Sequence, residues 1–107
     1  MSIVRLAAVS GAIAVAMGAF AAHGAGAHAA ELLRTGALYQ LTHAVAAVAA
    51  ARGKKGGAAA ALLLGGSVLF AGSVYLLAFG GPRWIGPVTP IGGLGMIAGW
   101  VLLAAKG

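Results

Sequence analysis

Apolar residues fill four stretches of this chain, separated by short breaks of glycine, proline and basic residues. At 1.5 Å per residue, about 20 apolar residues in a helix cross the ~30 Å hydrocarbon core of a bilayer. The pattern therefore predicts an all-α integral membrane four-helix bundle, one domain over residues 1–107, with helices near 3–22, 29–51, 58–79 and 90–105. The second stretch, counted only from Ala37 to Ala51, falls short of a crossing. Its helix is expected to begin near Ala29, carrying Glu31 and Arg34 into the interface and placing Tyr39, Gln40, Thr42 and His43 near mid-membrane.

Local signals refine these limits. In the first stretch Ser10, Ala14, Gly18 and Ala22 recur at every fourth position, the small-xxx-small spacing that lets helix backbones approach closely in lipid. Gly80-Gly81-Pro82 stops the third helix. Thr89 is expected as N-cap and Pro90 as first residue of the fourth, which runs through Gly92, Gly93, Gly95 and Gly99. Arg5 ahead of the first apolar run, with Ala27-His28-Ala29 beyond it, has features of a secretory signal. The run leads into another apolar segment and not into a soluble region, so it reads as a retained span.

Composition agrees with this reading: 62% of residues are hydrophobic and 7% charged, against about 45–50% and about 25% in soluble domains. The formal charge of +6 argues for anionic headgroups and against nucleic acid, because the basic residues sit at the ends of apolar runs. Arg52, Lys54 and Lys55 are the expected headgroup contacts. With four spans, Arg5, Arg52, Lys54, Lys55 and Lys106 share one face and only Arg34 and Arg83 the other. The positive-inside rule then puts both termini in the cytoplasm, with Trp84 and Trp100 marking opposite interfaces.

Four segments, Gly18-Ala19-Phe20-Ala21-Ala22-His23-Gly24, Thr35-Gly36 with Tyr39-Gln40-Leu41-Thr42-His43-Ala44, Phe70-Ala71-Gly72-Ser73-Val74-Tyr75-Leu76-Leu77, and Thr89-Pro90-Ile91-Gly92-Gly93 with Ala98-Gly99-Trp100, resemble the YgdD-like family in order and along nearly the whole chain. The resemblance implies a small four-span protein of the bacterial inner membrane, from a family of unknown function with a transmembrane relative in animals. It implies no reaction. The chain departs from the family's usual form in its Ala-rich connection from His23 to Thr35 and its short tail.

Chemistry is sparse. Cysteine is absent, which excludes disulfides, thiolate zinc sites and thiol nucleophiles, and Glu31 is the only acid, which excludes paired-carboxylate catalysis within one protomer. On a helix from His28, the residues His28, Glu31, Thr35, Tyr39, Thr42 and His43 fall within roughly 60° of one line at about 100° per residue. Intramembrane polar groups are functional candidates by default. Tyr39, Gln40, Thr42 and His43, with Ser10 and Ser67 at similar depth, form the candidate membrane site, and His23, His28, Glu31 and Arg34 an interfacial polar cluster. Gly18, Gly92, Gly95 and Gly99 are the candidate helix-packing positions.

The polar residues can act as glue between helices, as a ligand or proton site, or as metal or haem ligands; glue is the leading reading. His23 and His43 lie at different depths, and one Glu with three His makes a poor first shell, so no metal or cofactor is expected. The leading function is a non-enzymatic accessory or scaffolding subunit that packs against other membrane helices, including further copies of itself, amid membrane lipids. The alternatives are a small oligomeric channel or transporter lined by the second helix, and a lipid- or quinone-binding protein.

Overall fold

The computed structural model describes residues 2–106. Its four helices are α1 (Ile3–His23), α2 (Ala27–Arg52), α3 (Gly57–Ala78) and α4 (Val88–Lys106), with one turn of 3-10 helix at Arg83–Ile85. α1 begins where the Ser2 side chain accepts the Arg5 backbone N–H at 3.2 Å, a hydroxyl cap for a donor with no partner in the first turn. α3 ends in a Schellman turn: Gly81 N–H donates to Leu76 O and Gly80 N–H to Leu77 O. Gly80 holds φ at +86°, where a side chain is strained.

α4 starts earlier than the Thr89-Pro90 signal implies. Thr89 and Pro90 lie inside its first turn, and the Thr89 N–H donates to Gly86 O at 3.2 Å. Proline is tolerated there because first-turn N–H groups have no intrahelical acceptor. The Thr89 hydroxyl does not cap the helix; it bonds to α3.

Three segments are long and apolar enough to cross a membrane: Ile3–His23, Gly57–Ala78 and Arg83–Lys106. α2 is not among them, although the apolar pattern predicts four spans. Its length is ample, but Glu31, Arg34, Gln40 and His43 lower its hydropathy.

The helices pack in chain order. α1 lies on α2, α2 on α3 and α3 on α4, while α1 meets α3 at few points and shares no extended contact with α4. The result is a folded row with α1 and α4 at its edges, within an envelope of 43 × 26 × 22 Å.

Small residues fill the interior. One cluster joins Ala7, Ala47, Ala50, Ala60, Leu63 and Leu64, and a second joins Ala21, Ala30 and Leu33. Large apolar side chains such as Val15, Leu38, Leu94 and Ile97 face outward. That inversion suits a helix bathed in lipid, where close backbone approach and not removal from water holds helices together. In α1 the buried positions are Ala7, Ser10, Ala14 and Ala21, so Ala22 of the predicted small-residue stripe falls outside the seam.

The α3–α4 contact is the tightest. A Cβ on Gly66 would stand 2.6 Å from Met96 N, one on Gly99 2.8 Å from Leu63 Cγ, and one on Gly92 would strike Phe70 N. A Cβ on Gly95 would meet Gly66 Cα at 3.2 Å. The glycines of α4 are thus used within the chain, against α3. Gly18 is less constrained, since a Cβ there meets Ala37 at an ordinary 3.8 Å.

Candidate functional site: a polar ladder beside an apolar groove

Gln40 stands at the middle of α2 and is 4% exposed. Its two amide functions bond in opposite directions: Nε2 donates to Ser10 Oγ of α1 at 3.1 Å, and Oε1 accepts the Tyr75 hydroxyl of α3 at 2.6 Å. One side chain therefore ties three helices. Gly36, one turn before Gln40, makes room for the Tyr75 ring; a Cβ there would come within 2.6 Å of Cε1.

A turn further on, His43 joins α2 to α4. Trp100 Nε1, which can only donate, lies 3.0 Å from His43 Nε2, and the Tyr39 carbonyl, which can only accept, lies 2.7 Å from Nδ1. The two partners together specify a neutral imidazole with its proton on Nδ1. The ring packs edge-on to Trp100 and stacked with Tyr39, which in turn packs against Phe70. Ser73 of α3 and Thr89 of α4 add the last rung, sharing a hydrogen bond of 2.6 Å.

The structure brings together only part of the predicted membrane site. Ser10, Gln40 and His43 are buried and bonded between helices. Ser67 is buried but donates to Leu64 O of its own helix, so it joins no rung. Thr42 faces outward, and so do His28, Glu31 and Thr35, leaving His43 as the one inward member of the predicted stripe. Tyr39 is 43% exposed and contributes its carbonyl and ring. Tyr75, Trp100, Ser73 and Thr89 are rungs that the sequence pattern does not mark as site residues. Their signal lies in the polar tips of residues on other helices and, for Tyr75, in the nearby small residue Gly36.

At one end of the molecule His23, His28, Glu31 and Arg34 are all exposed. At the other, Lys54 and Lys55 meet Lys106 around a cavity of about 360 Å³, floored by Gly53 and Gly56; Arg52 is exposed nearby but does not line it. Among the described residues no three His, Cys, Asp or Glu side chains come together. Nor does any buried side-chain N or O there lack a hydrogen-bond partner.

Between α1 and α3 the open row leaves a groove of about 970 Å³. Leu6, Val9 and Ile13 form one wall, Leu64, Val68 and Leu76 the other, and Trp84 and Ile85 close one end. Ser10 and Gln40 lie in its floor. The Ser10 hydroxyl accepts from Gln40 and carries its own hydrogen; the Gln40 amide has a second N–H. The groove thus presents apolar walls and hydrogen-bond donors at mid-length.

Helices of membrane-crossing length, small residues inside, large apolar residues outside and paired polar groups between helices define an integral membrane protein. More narrowly, the chain belongs to the family described as protein of unknown function (DUF423), whose family model matches residues 17–93. A UPF0382 membrane protein of Haemophilus influenzae is 41% identical over 92% of this chain and 87% of its own length. The UPF0382 inner membrane protein YgdD of Escherichia coli K12 is 38% identical over 91% of this chain and 82% of its own. A UPF0382 membrane protein of Schizosaccharomyces pombe is 34% identical over 96% and 98%. No solved structure matches.

Proposed function

We propose that this is a four-span, non-enzymatic protein of the bacterial inner membrane, with both termini cytoplasmic, that holds a lipophilic molecule in the groove between α1 and α3. The inner-membrane location rests on the name of the Escherichia coli relative. The fourth crossing rests on connectivity. α2 is 26 residues long, packs along both α1 and α3, and is joined to them only by Gly24–Gly26 and Gly53–Gly56. Such short links, together with packing along both neighbours, favour a path across the membrane between two spans.

The groove carries the functional reading. Its apolar walls suit an isoprenoid or acyl chain, and the donors on Ser10 and Gln40 suit a carbonyl oxygen at mid-depth. The ladder's side chains are each tied to a neighbouring helix and form no activated nucleophile and no acid–base pair, which supports a binding role. An aqueous path along α2 finds less support, because its inward polar groups are already paired with neighbouring helices.

Gly65 and Gly72 line the groove, and a Cβ at either meets open space. Gly72→Leu is expected to occupy the groove without disturbing helix packing. Lipid extracted from protein purified in mild detergent and identified by mass spectrometry should contain one enriched carbonyl-bearing species, quinone or acyl lipid, that Gly72→Leu loses. Recovery of bulk membrane lipid alone, unchanged by the substitution, would remove the binding reading and leave the accessory-subunit one.

A further inference from the structure

The chain's one acidic side chain, Glu31, stands near the start of α2, whereas Lys54 and Lys55 follow its end, roughly 30 Å away along the helix axis. Lys106 of α4 returns to the same end, and the three lysines line one cavity of about 360 Å³. No carboxylate side chain balances them there. The ends of α2 and α4 each carry about half a negative charge, and the start of α3 about half a positive one. Most of the lysine charge is therefore left over for a ligand.

The cavity is built on backbone held in place. Gly53 N–H donates to Ala50 O at 3.1 Å, and a Cβ on Gly56 would strike the same carbonyl, so the α2–α3 link folds tightly against the last turn of α2. Lys54 and Lys55 are presented from that link, and Lys106 from the last turn of α4. Gly56, which has no side chain, is also the N-cap of α3, so the first-turn N–H groups gain no cap from it and remain donors that suit a phosphate oxygen. Ala49 and Leu103 add an apolar wall.

We infer that this cavity binds the headgroup of an anionic phospholipid with two phosphates, of the diphosphatidylglycerol class. Three ammoniums spread over two elements match two phosphates better than one, and basic pockets between membrane helices take such headgroups. The apolar wall favours lipid over free phosphate, which has nothing apolar to set against Ala49 and Leu103. The volume is near the low end of the ~300–1,000 Å³ of small-molecule sites, enough for a headgroup whose acyl chains stay outside in the bilayer. The cavity shares no lining residue with the groove between α1 and α3, so this assignment and the lipophile one fail independently.

Native mass spectrometry of the full chain in mild detergent, with diphosphatidylglycerol, phosphatidylglycerol or phosphatidylethanolamine added, reads the binding. The protein should retain one diphosphatidylglycerol in preference to the other two. Lys55→Gln with Lys106→Gln should weaken that binding by about tenfold or more, the scale of a lost bond to a charged group. Arg5→Gln with Arg52→Gln removes the same charge from the same end of the molecule but outside the cavity, and should leave binding nearly unchanged. All four side chains are exposed, so neither pair disturbs the interior, and thermal unfolding midpoints check this. Equal loss in both pairs would show diffuse charge attraction, and equal retention of phosphatidylglycerol would remove the two-phosphate assignment. Binding of pyrophosphate without retention of the lipid would give the cavity to a free anion. Each of these results, or no retention at all, overturns the proposal.

Discussion

His43 shows how little a single hydrogen bond contributes and how much its loss can cost. Interhelical polar bonds in membranes average about 0.6 kcal/mol. Removing one partner, however, leaves a buried polar atom unpaired at about 1–3 kcal/mol. Trp100→Phe strips the donor from His43 Nε2, and this imidazole is only 6% exposed. The single substitution is therefore expected to destabilise the fold by about 1–3 kcal/mol, whereas Trp100→Phe with His43→Phe should recover most of that loss. A double-mutant cycle by reversible detergent unfolding measures both. Additive losses would mean that the bond between Trp100 and His43 does not join the helices. These rungs fix which residue faces which, a contribution to register more than to stability.

At the scale of helices, the α3–α4 contact depends on the absence of side chains. A Cβ on Gly92 would meet the Phe70 backbone and Gly66 O, and backbone cannot rotate away as a flexible side chain can. Gly92→Ala should push the two helices apart and destabilise by about 1–3 kcal/mol, as overpacked interiors do. Gly93→Ala, whose Cβ meets nothing within 4 Å, is the control and should be neutral or better. Thermal unfolding in detergent compares the pair, and equal midpoints would show that α3 and α4 do not meet as closely as their glycines imply. The helix positions and the Gly95–Gly99 spacing were legible in the sequence because length and glycine carry direct meaning in a membrane. The inward face of α2 was not. Periodicity groups His28, Glu31, Thr35 and Thr42 on one side, but in lipid the buried side is marked by small residues, and an Ala-rich helix has these all round. Thr89 misleads for a similar reason: a hydroxyl near a helix start suits a cap, and only the fold reveals Ser73 across from it.

Taken whole, the molecule must reconcile three apolar helices with a fourth that lipid alone would not favour. The row does so by placing α2 between α1 and α3, which shields Gln40 and His43. Lys54 and Lys55 of the α2–α3 link meet Lys106 at the end of α4, gathering basic residues at one end of the row, the end that the proposed orientation puts in the cytoplasm. A cytoplasmic reporter inserted between Lys54 and Lys55, or fused after the last residue, should therefore be active, and a tag placed beside Trp84 should be reachable only from outside. An α2 lying flat on the surface predicts a different pattern, because the links Gly24–Gly26 and Gly53–Gly56 would then fall on the same side. Cysteine labelling of Gly26→Cys and Gly53→Cys with a membrane-impermeant reagent separates the two arrangements. Labelling of Gly26→Cys from outside and of Gly53→Cys only after the membrane is opened is the outcome that the short links and the basic cluster require.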